Sequence, residues 1–170
     1  PGEMPAALSS FGVSVFDSAG TTIEQNRIEY HNGSAIISGR QADNLQVLEN
    51  IIVGNGLSGM PDAIRLDGQV YDALISGNLI CGNDGSGIFL FKPDGNVIIS
   101  NNHIRFNGQR LRRAAIYLMG DDHRVVDNDI THQKGSGVVV TAFGQGPNTQ
   151  SRRNVITGNR FDSNDGLSID

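Results

Sequence analysis

Apolar and polar positions recur along the chain in one fixed frame, built around an asparagine that returns every 24 to 31 residues. Each asparagine has an apolar residue three places before it and another two places after it, as Ile99 and Ile104 flank Asn102. A second polar residue follows five places after most of them. Repeats of roughly 20–50 residues indicate stacked supersecondary units. The first set is Asn26, Asn50, Asn78, Asn102, Asn128 and Asn159, and the second is Asn55, Asn83, Asn107, Gln133 and Asn164, with Asn32 one place late.

After the second polar position, a small residue opens a short apolar strand. These strands occupy 35–38, 63–66, 87–90, 115–118, 137–140 and 166–169. Period-2 alternation holds within each run, and no window keeps the 3.6-residue period of a helix. The pattern predicts an all-β, right-handed parallel β-helix of about six rungs, in which three short sheets run along the stack. Inward asparagines at one bend should bond to each other from rung to rung, forming an asparagine ladder.

The segments 97–104 (VIISNNHI) and 154–161 (NVITGNRF) resemble the parallel β-helix repeats of pectate-lyase-like proteins. Mannuronan C5-epimerases, alginate lyases, copper-site maturation periplasmic proteins and large bacterial surface proteins share these repeats. The resemblance covers residues 21–170 and implies a β-helix with an extracellular, cell-surface or periplasmic location. It does not select an activity, because one fold hosts many chemistries.

At 170 residues, the chain is expected to form one β-helix domain over 21–170, preceded by a partial rung or cap over 1–20. Because exposed rung edges invite pairing, we expect the native protein to continue past Asp170 or a partner or second copy to cover that end. A net charge of −5 argues against nucleic-acid binding. No apolar stretch approaches the length of a membrane-spanning helix.

Loops that interrupt a solenoid commonly mark its working face. Insertions at 57–62 and 108–114 fall at the same corner, and a third covers 142–154. The second insertion contains three arginines, whose positive charge could bind a polyanionic sugar. The alternative is that this insertion is an ordinary solvated loop. An apolar patch lies on the predicted outer face between these loops. It could stack on sugar rings, form an oligomer interface, or be covered by the flanking loops. The cations are Arg110, Arg112 and Arg113, and the aromatic patch is Phe89, Phe91, Tyr117 and Met119.

Lyases and epimerases of acidic polysaccharides need a cation to neutralise the uronate carboxylate, and an acid and a base beside it. Arg65 or Lys92 is a candidate for the cation. Tyr117 and His123 are candidates for acid and base, with Asp122 beside them. The run Asp121-Asp122-His123 resembles the Asp-Pro-His piece of mannuronan epimerase motifs, although Asp replaces Pro and the preceding Leu118-Met119-Gly120 departs from that motif. The alternative is ordinary turn chemistry.

A second acid–base pair is possible at His103 and Asp129, which share an outward column on adjacent rungs. The four histidines occupy different columns, so the sequence predicts no metal site of its own and no required cofactor. Calcium between Asp94, Asp121 and Asp122 is a weaker hypothesis.

Two functions follow from these patterns. The first is a secreted carbohydrate-active β-helix that processes an acidic polysaccharide by β-elimination or C5-epimerisation. The second is a non-catalytic structural, adhesive or glycan-binding module of a surface protein.

Overall fold

The computed structural model describes residues 11–58, 60–110, 114–142, 144 and 149–170. These residues form a right-handed parallel β-helix with three sheets of six strands each, and no helix occurs among them. Sheet A contains β1 (Val13–Phe16), β4 (Ile36–Gly39), β7 (Ile64–Asp67), β10 (Ile88–Phe91), β13 (Ile116–Met119) and β16 (Val138–Val140). Sheet B contains β2 (Thr22–Glu24), β5 (Gln46–Leu48), β8 (Leu74–Ser76), β11 (Ile98–Ser100), β14 (Arg124–Val126) and β17 (Val155–Thr157). Sheet C contains β3 (Arg27–Glu29), β6 (Ile51–Val53), β9 (Leu79–Cys81), β12 (His103–Arg105), β15 (Asp129–Thr131) and β18 (Arg160–Asp162).

The core is a stack of matching apolar side chains that all three sheets contribute in every rung. In sheet A, parallel pairing places Ile36, Ile64, Ile88, Ile116 and Val138 in one inward column, and all five are fully buried. Full burial of such a side chain contributes about 1.5–3 kcal/mol. Because each rung contributes only a few core residues, this register lets a narrow coil bury enough apolar surface to fold.

The predicted asparagine ladder is present at both bends of sheet C. The Asn102 amide Nδ2 donates to Asn128 Oδ1 at 2.9 Å and to the Ile75 carbonyl at 3.0 Å, while Asn102 Oδ1 accepts from Asn78 N at 2.9 Å. The second ladder runs in the same way, with Asn83 N donating to Asn107 Oδ1. Polar side chains therefore satisfy backbone groups that the bends leave without strand partners.

Each bend into and out of sheet C uses a residue with positive φ. Gln25, Glu49 and Asn101 have φ of 53–55° immediately before a ladder asparagine. This left-handed turn changes which side of the backbone faces inward, which explains the change of parity read from the sequence.

Two details of the predicted register are wrong. Ile169, rather than Leu167, pairs with Val138, so the last run enters sheet A two residues later than expected. Ser168 follows the ladder residue Asn164 by the same number of residues as Gly87 follows Asn83. Ser168 therefore takes the small-residue position before the strand, and this sequence separation sets the register. In the first rung, the backbone amide of His31 donates to Asn55 Oδ1, so His31 and not Asn32 occupies the second ladder position.

Candidate functional site

The aromatic patch lies on the outer face of sheet A, in the two columns that the sequence predicts. Phe89 lies between Arg65 and Tyr117 in one column, and Phe91 lies between Asp67 and Met119 in the next. The Phe89 ring centroid is 5.2 Å from that of Tyr117 and 6.2 Å from that of Phe91. Phe89 is buried in this cluster, whereas Phe91 is 38% exposed. Phe91 is therefore the ring that the patch offers to a ligand.

Arg65 is committed to partners within the protein. Its guanidinium carbon lies 4.7 Å from the Phe89 centroid and 5.7 Å from the Phe91 centroid. Its Nε lies 2.9 Å from the Asp67 carboxylate, and its Nη1 lies 3.4 Å from that of Asp62, which is fully buried. Its positive charge is thus offset by two carboxylates, which makes it a poor group for neutralising a uronate.

A cleft of about 390 Å³ opens at the corner where sheet A leads into sheet B. We call it the corner cleft. Its lining combines one exposed ring, two cations, and polar or acidic groups: Arg40, Asp67, Gly68, Gln69, Phe91, Lys92 and Asp94. Lys92 Nζ lies 5.6 Å from the Phe91 centroid. Cations beside an exposed aromatic face can hold a ligand that has both an apolar ring face and negative charge.

Arg40 and Gln69 in the corner cleft, and Asp62 beside Arg65, were not predicted from the sequence. The residue just after a sheet A strand forms a column where Gly68 N donates to Phe91 O and Lys92 N donates to Met119 O. Arg40 departs from this register, because Asp17 N donates to Arg40 O although Phe16 pairs with Gly39. No simple column pattern therefore marks Arg40. Asp62 ends the inserted loop 57–62 and lies three residues before Arg65, so its contact with Arg65 is local in sequence.

His123 does not lie on the outer face. Its side chain is fully buried, and its Nδ1 accepts a hydrogen bond from Val97 N at 3.3 Å. Burial lowers the pKa of His123 to about 4, against the opposing effect of Asp121 and Asp122. The imidazole is therefore neutral at physiological pH and has no access to a polymer on sheet A, so the structure separates it from Tyr117.

Asp121 and Asp122 face an arginine from the next rung. Arg153 Nε lies 2.6 Å from Asp122, and Arg153 Nη2 lies 3.3 Å from Asp121. The hydrogen bond from Arg153 lowers the pKa of Asp122 and raises that of Arg153. Within the described residues no group of three or more His, Cys, Asp or Glu side chains is placed to hold a metal ion, so the predicted calcium site at Asp94, Asp121 and Asp122 has no assembled donor set.

Arg110 also has partners within the protein. Its Nε lies 3.0 Å from Asp84, and its Nη2 donates to the Gly56 carbonyl at 2.9 Å. It thus ties the second inserted loop to Gly56, one residue before the first inserted loop, as their shared corner suggests. The other two cations of this predicted group, Arg112 and Arg113, lie outside the described residues.

The predicted pair of His103 and Asp129 is present on sheet C, beside a cleft of about 310 Å³. His103 Nδ1 lies 3.5 Å from Asp129, and Arg160 Nη1 lies 2.7 Å from the same carboxylate. Arg160, and then His103, lower the pKa of Asp129. The Asp129 carboxylate is thus a weak base held by an arginine, which is the arrangement of a surface ion pair.

Comparison with known proteins identifies the family to which the chain belongs. The family model described as periplasmic copper-binding protein (NosD) matches residues 9–170. The chain belongs to this family. No curated protein matches it.

Two solved structures have the same fold. The periplasmic alginate epimerase AlgG, solved as a single-site mutant, aligns with a TM-score of 0.70 and 18% identity over 94% of this chain and 42% of that one. The A-module of the Azotobacter vinelandii mannuronan C-5 epimerase AlgE4 aligns with a TM-score of 0.60 and 15% identity over 94% of this chain and 52% of that one. The chain thus spans about half the length of these proteins or less.

The residues of this NosD-family chain do not fit a copper centre. All four histidines and Cys81 lie in the described part of the chain, yet they join no group of three possible ligands there. His123 is buried against Val97, His132 packs on Phe106 with ring centroids 4.9 Å apart, and His103 faces Asp129.

In the described part of the chain, no helix is long and apolar enough to span a bilayer.

Proposed function

We propose that this protein is a periplasmic or extracellular β-helix that binds an acidic polysaccharide at the corner cleft and along the outer face of sheet A. The observation that carries the proposal is the exposed Phe91 ring with Lys92 Nζ 5.6 Å from its centroid, in a cleft that Arg40 also lines. A uronate ring has an apolar face for Phe91 and a carboxylate for a cation. Stacking fixes the ring, and a charge-assisted contact selects the acid.

The positions of the other candidates favour binding over catalysis. Arg65 is paired with Asp62 and Asp67, and His123 is buried. A proton-abstracting site would need a base and an acid within hydrogen-bond reach of one sugar. Of the candidates, Tyr117 keeps a half-buried position on the outer face.

The second candidate function is lyase or C5-epimerase chemistry on the same polymer. The two structural neighbours, which are both epimerases, favour it, with Tyr117 as the proton donor or acceptor and Lys92 beside the carboxylate. Ultraviolet absorbance from unsaturated uronate ends and proton-exchange NMR would detect the two reactions.

Calorimetric titration with alginate, pectate and a glycosaminoglycan, against neutral dextran, tests the binding proposal. We expect at least one polyanion to bind and dextran not to bind. Phe91→Ala should weaken that binding about tenfold, since a stacked ring and its burial contribute about 1 kcal/mol or more. Equal binding to all polymers, or to none, would contradict the proposal.

A further inference from the structure

The corner where sheet C ends carries a second set of exposed rings. One column of residues follows the sheet C strands, and the backbone amide of each donates to the strand of the next rung. We call it the Tyr30 column; its described members in rungs one to five are Tyr30, Gly54, Gly82, Phe106 and His132. All five have φ between 55° and 65°.

Aromatic residues are unexpected at this backbone conformation. Positive φ suits Gly, Asn and Asp, and it disfavours bulky side chains. The equivalent column at the start of sheet C has the same conformation and holds only glycine and polar residues: Gln25, Glu49, Gly77, Asn101, Asp127 and Gly158. The turn itself therefore does not require aromatic rings.

Tyr30 and Phe106 are also exposed, at 66% and 44% of their surface. They contribute little to the core, yet each combines backbone strain with apolar surface in water. Strain of this kind that folding does not explain points to a functional use.

The two glycines between the rings, Gly54 and Gly82, leave a stretch of backbone without side chains. A Cβ at Gly54 would lie 2.7 Å from the Tyr30 ring, so this ring leans over the second rung. A Cβ at Gly82 would meet nothing within 4 Å, so the third rung is uncovered. Phe106 packs on His132 and away from this gap. Three strand spacings separate Tyr30 from Phe106, or about 14 Å, a length that a short oligosaccharide can span.

From this arrangement we propose that the Tyr30 column is a binding site for a neutral glycan, with Tyr30 and Phe106 stacking on two of its sugar rings. Two ring faces separated by backbone and glycine match a sugar chain, whose apolar faces alternate with hydroxyl groups. An apolar protein partner would need a continuous surface instead. The outer face of sheet C leads into this column and carries three arginines, Arg27, Arg105 and Arg160, against three carboxylates, Glu29, Asp129 and Asp162. Arg110 in the neighbouring loop is paired with Asp84, so the site offers no net positive charge for a polyanion.

Affinity electrophoresis in gels containing galactomannan, glucomannan or hydroxyethylcellulose tests this site. At least one of these neutral polymers should retard the protein. Tyr30→Asn and Phe106→Asn should each weaken retardation about tenfold, with an unchanged or higher Tm, because asparagine adopts positive φ readily. Gly82→Asn places a side chain over the uncovered backbone between the rings, and asparagine adopts the positive φ of this position. This variant should also bind more weakly.

Tyr71→Asn is the matched control, since Tyr71 is 48% exposed at a different corner of the coil. Its retardation should equal that of the wild type. The site is refuted if no neutral polymer retards the protein, or if the Tyr30 and Phe106 variants are retarded as strongly as the wild type. Sedimentation that reveals a dimer lost in these variants would also overturn it, in favour of a protein contact.

Discussion

The guanidinium of Arg65 stacks on the ring of Phe89, 4.7 Å from its centroid, on the neighbouring strand of sheet A. The same guanidinium is 3.4 Å from the buried carboxylate of Asp62. These contacts explain why the middle of the sheet A face is a packed cluster. We therefore propose ligand recognition at its edge, where Phe91 and Lys92 line the corner cleft.

Arg65→Met should destabilise the fold by about 2–3 kcal/mol. The substitution keeps an apolar stem over Phe89 but takes a cationic partner from a buried carboxylate, which is costly. Because 15% of the Arg65 side chain is exposed, we expect a cost at or below the roughly 3–5 kcal/mol of breaking a fully buried ion pair. Urea unfolding measures it.

Arg110→Met is the control, because its pair with Asp84 is exposed and should contribute less than about 1 kcal/mol. Adding Asp62→Asn to Arg65→Met should recover part of the loss. Equal costs for the Arg65 and Arg110 variants would show that Asp62 does not depend on Arg65.

Asn102→Ala should cost about 3–5 kcal/mol, because it leaves the Asn78 amide and the Ile75 carbonyl without their partner inside the coil. Asn26→Ala, at the exposed first rung, should cost about 1 kcal/mol. Chemical denaturation of the two variants compares them. Similar values would argue against a cooperative ladder in which inner positions carry more of the stability.

His123 should make the fold sensitive to acid. Its pKa is lowered from 6.5 to about 4, so the unfolded chain takes up the proton more readily. The free energy of unfolding should therefore fall as the pH drops from about 6.5 to about 4, by about 3 kcal/mol from this group. Above about pH 6.5 the group has no further effect.

Urea unfolding of wild type and His123→Val across this pH range tests the assignment. Valine already occupies the same column at Val97, so the variant should fold and lose this part of the acid sensitivity. His132→Asn, at an exposed position whose positive φ asparagine adopts readily, should keep it. An acid response that is unchanged in His123→Val would assign the effect to other groups.

Tyr117→Phe separates the two proposed functions. The ring contact with Phe89, at 5.2 Å between centroids, survives the substitution, so affinity for an acidic polymer should change by less than about twofold. If the wild type releases unsaturated ends or exchanges the C5 proton, the variant should lose that activity. Full activity in Tyr117→Phe would remove Tyr117 from the reaction.

The sequence predicts the fold well because its determinants are local and repeat. The frame around Asn102 gives the ladder, and the column of Phe89 and Tyr117 follows from period-2 alternation. The errors concern side-chain partners that the repeat does not specify. Arg65 was expected to be available, but Asp62 and Asp67, three residues before it and two after it, both pair with its guanidinium. His123 looked accessible, but the following rung covers it, with Asn154 accepting from its backbone amide.

Titration of Lys92→Ala beside Lys134→Ala with the best-bound polyuronate tests the central claim most directly. These are the two lysines of the chain, and Lys134 lies away from the corner cleft, near Asp165. The account predicts about tenfold weaker binding for Lys92→Ala, with a reduced salt dependence, and wild-type binding for Lys134→Ala. Equal affinities for the two variants would contradict recognition of an acidic polysaccharide at the corner cleft.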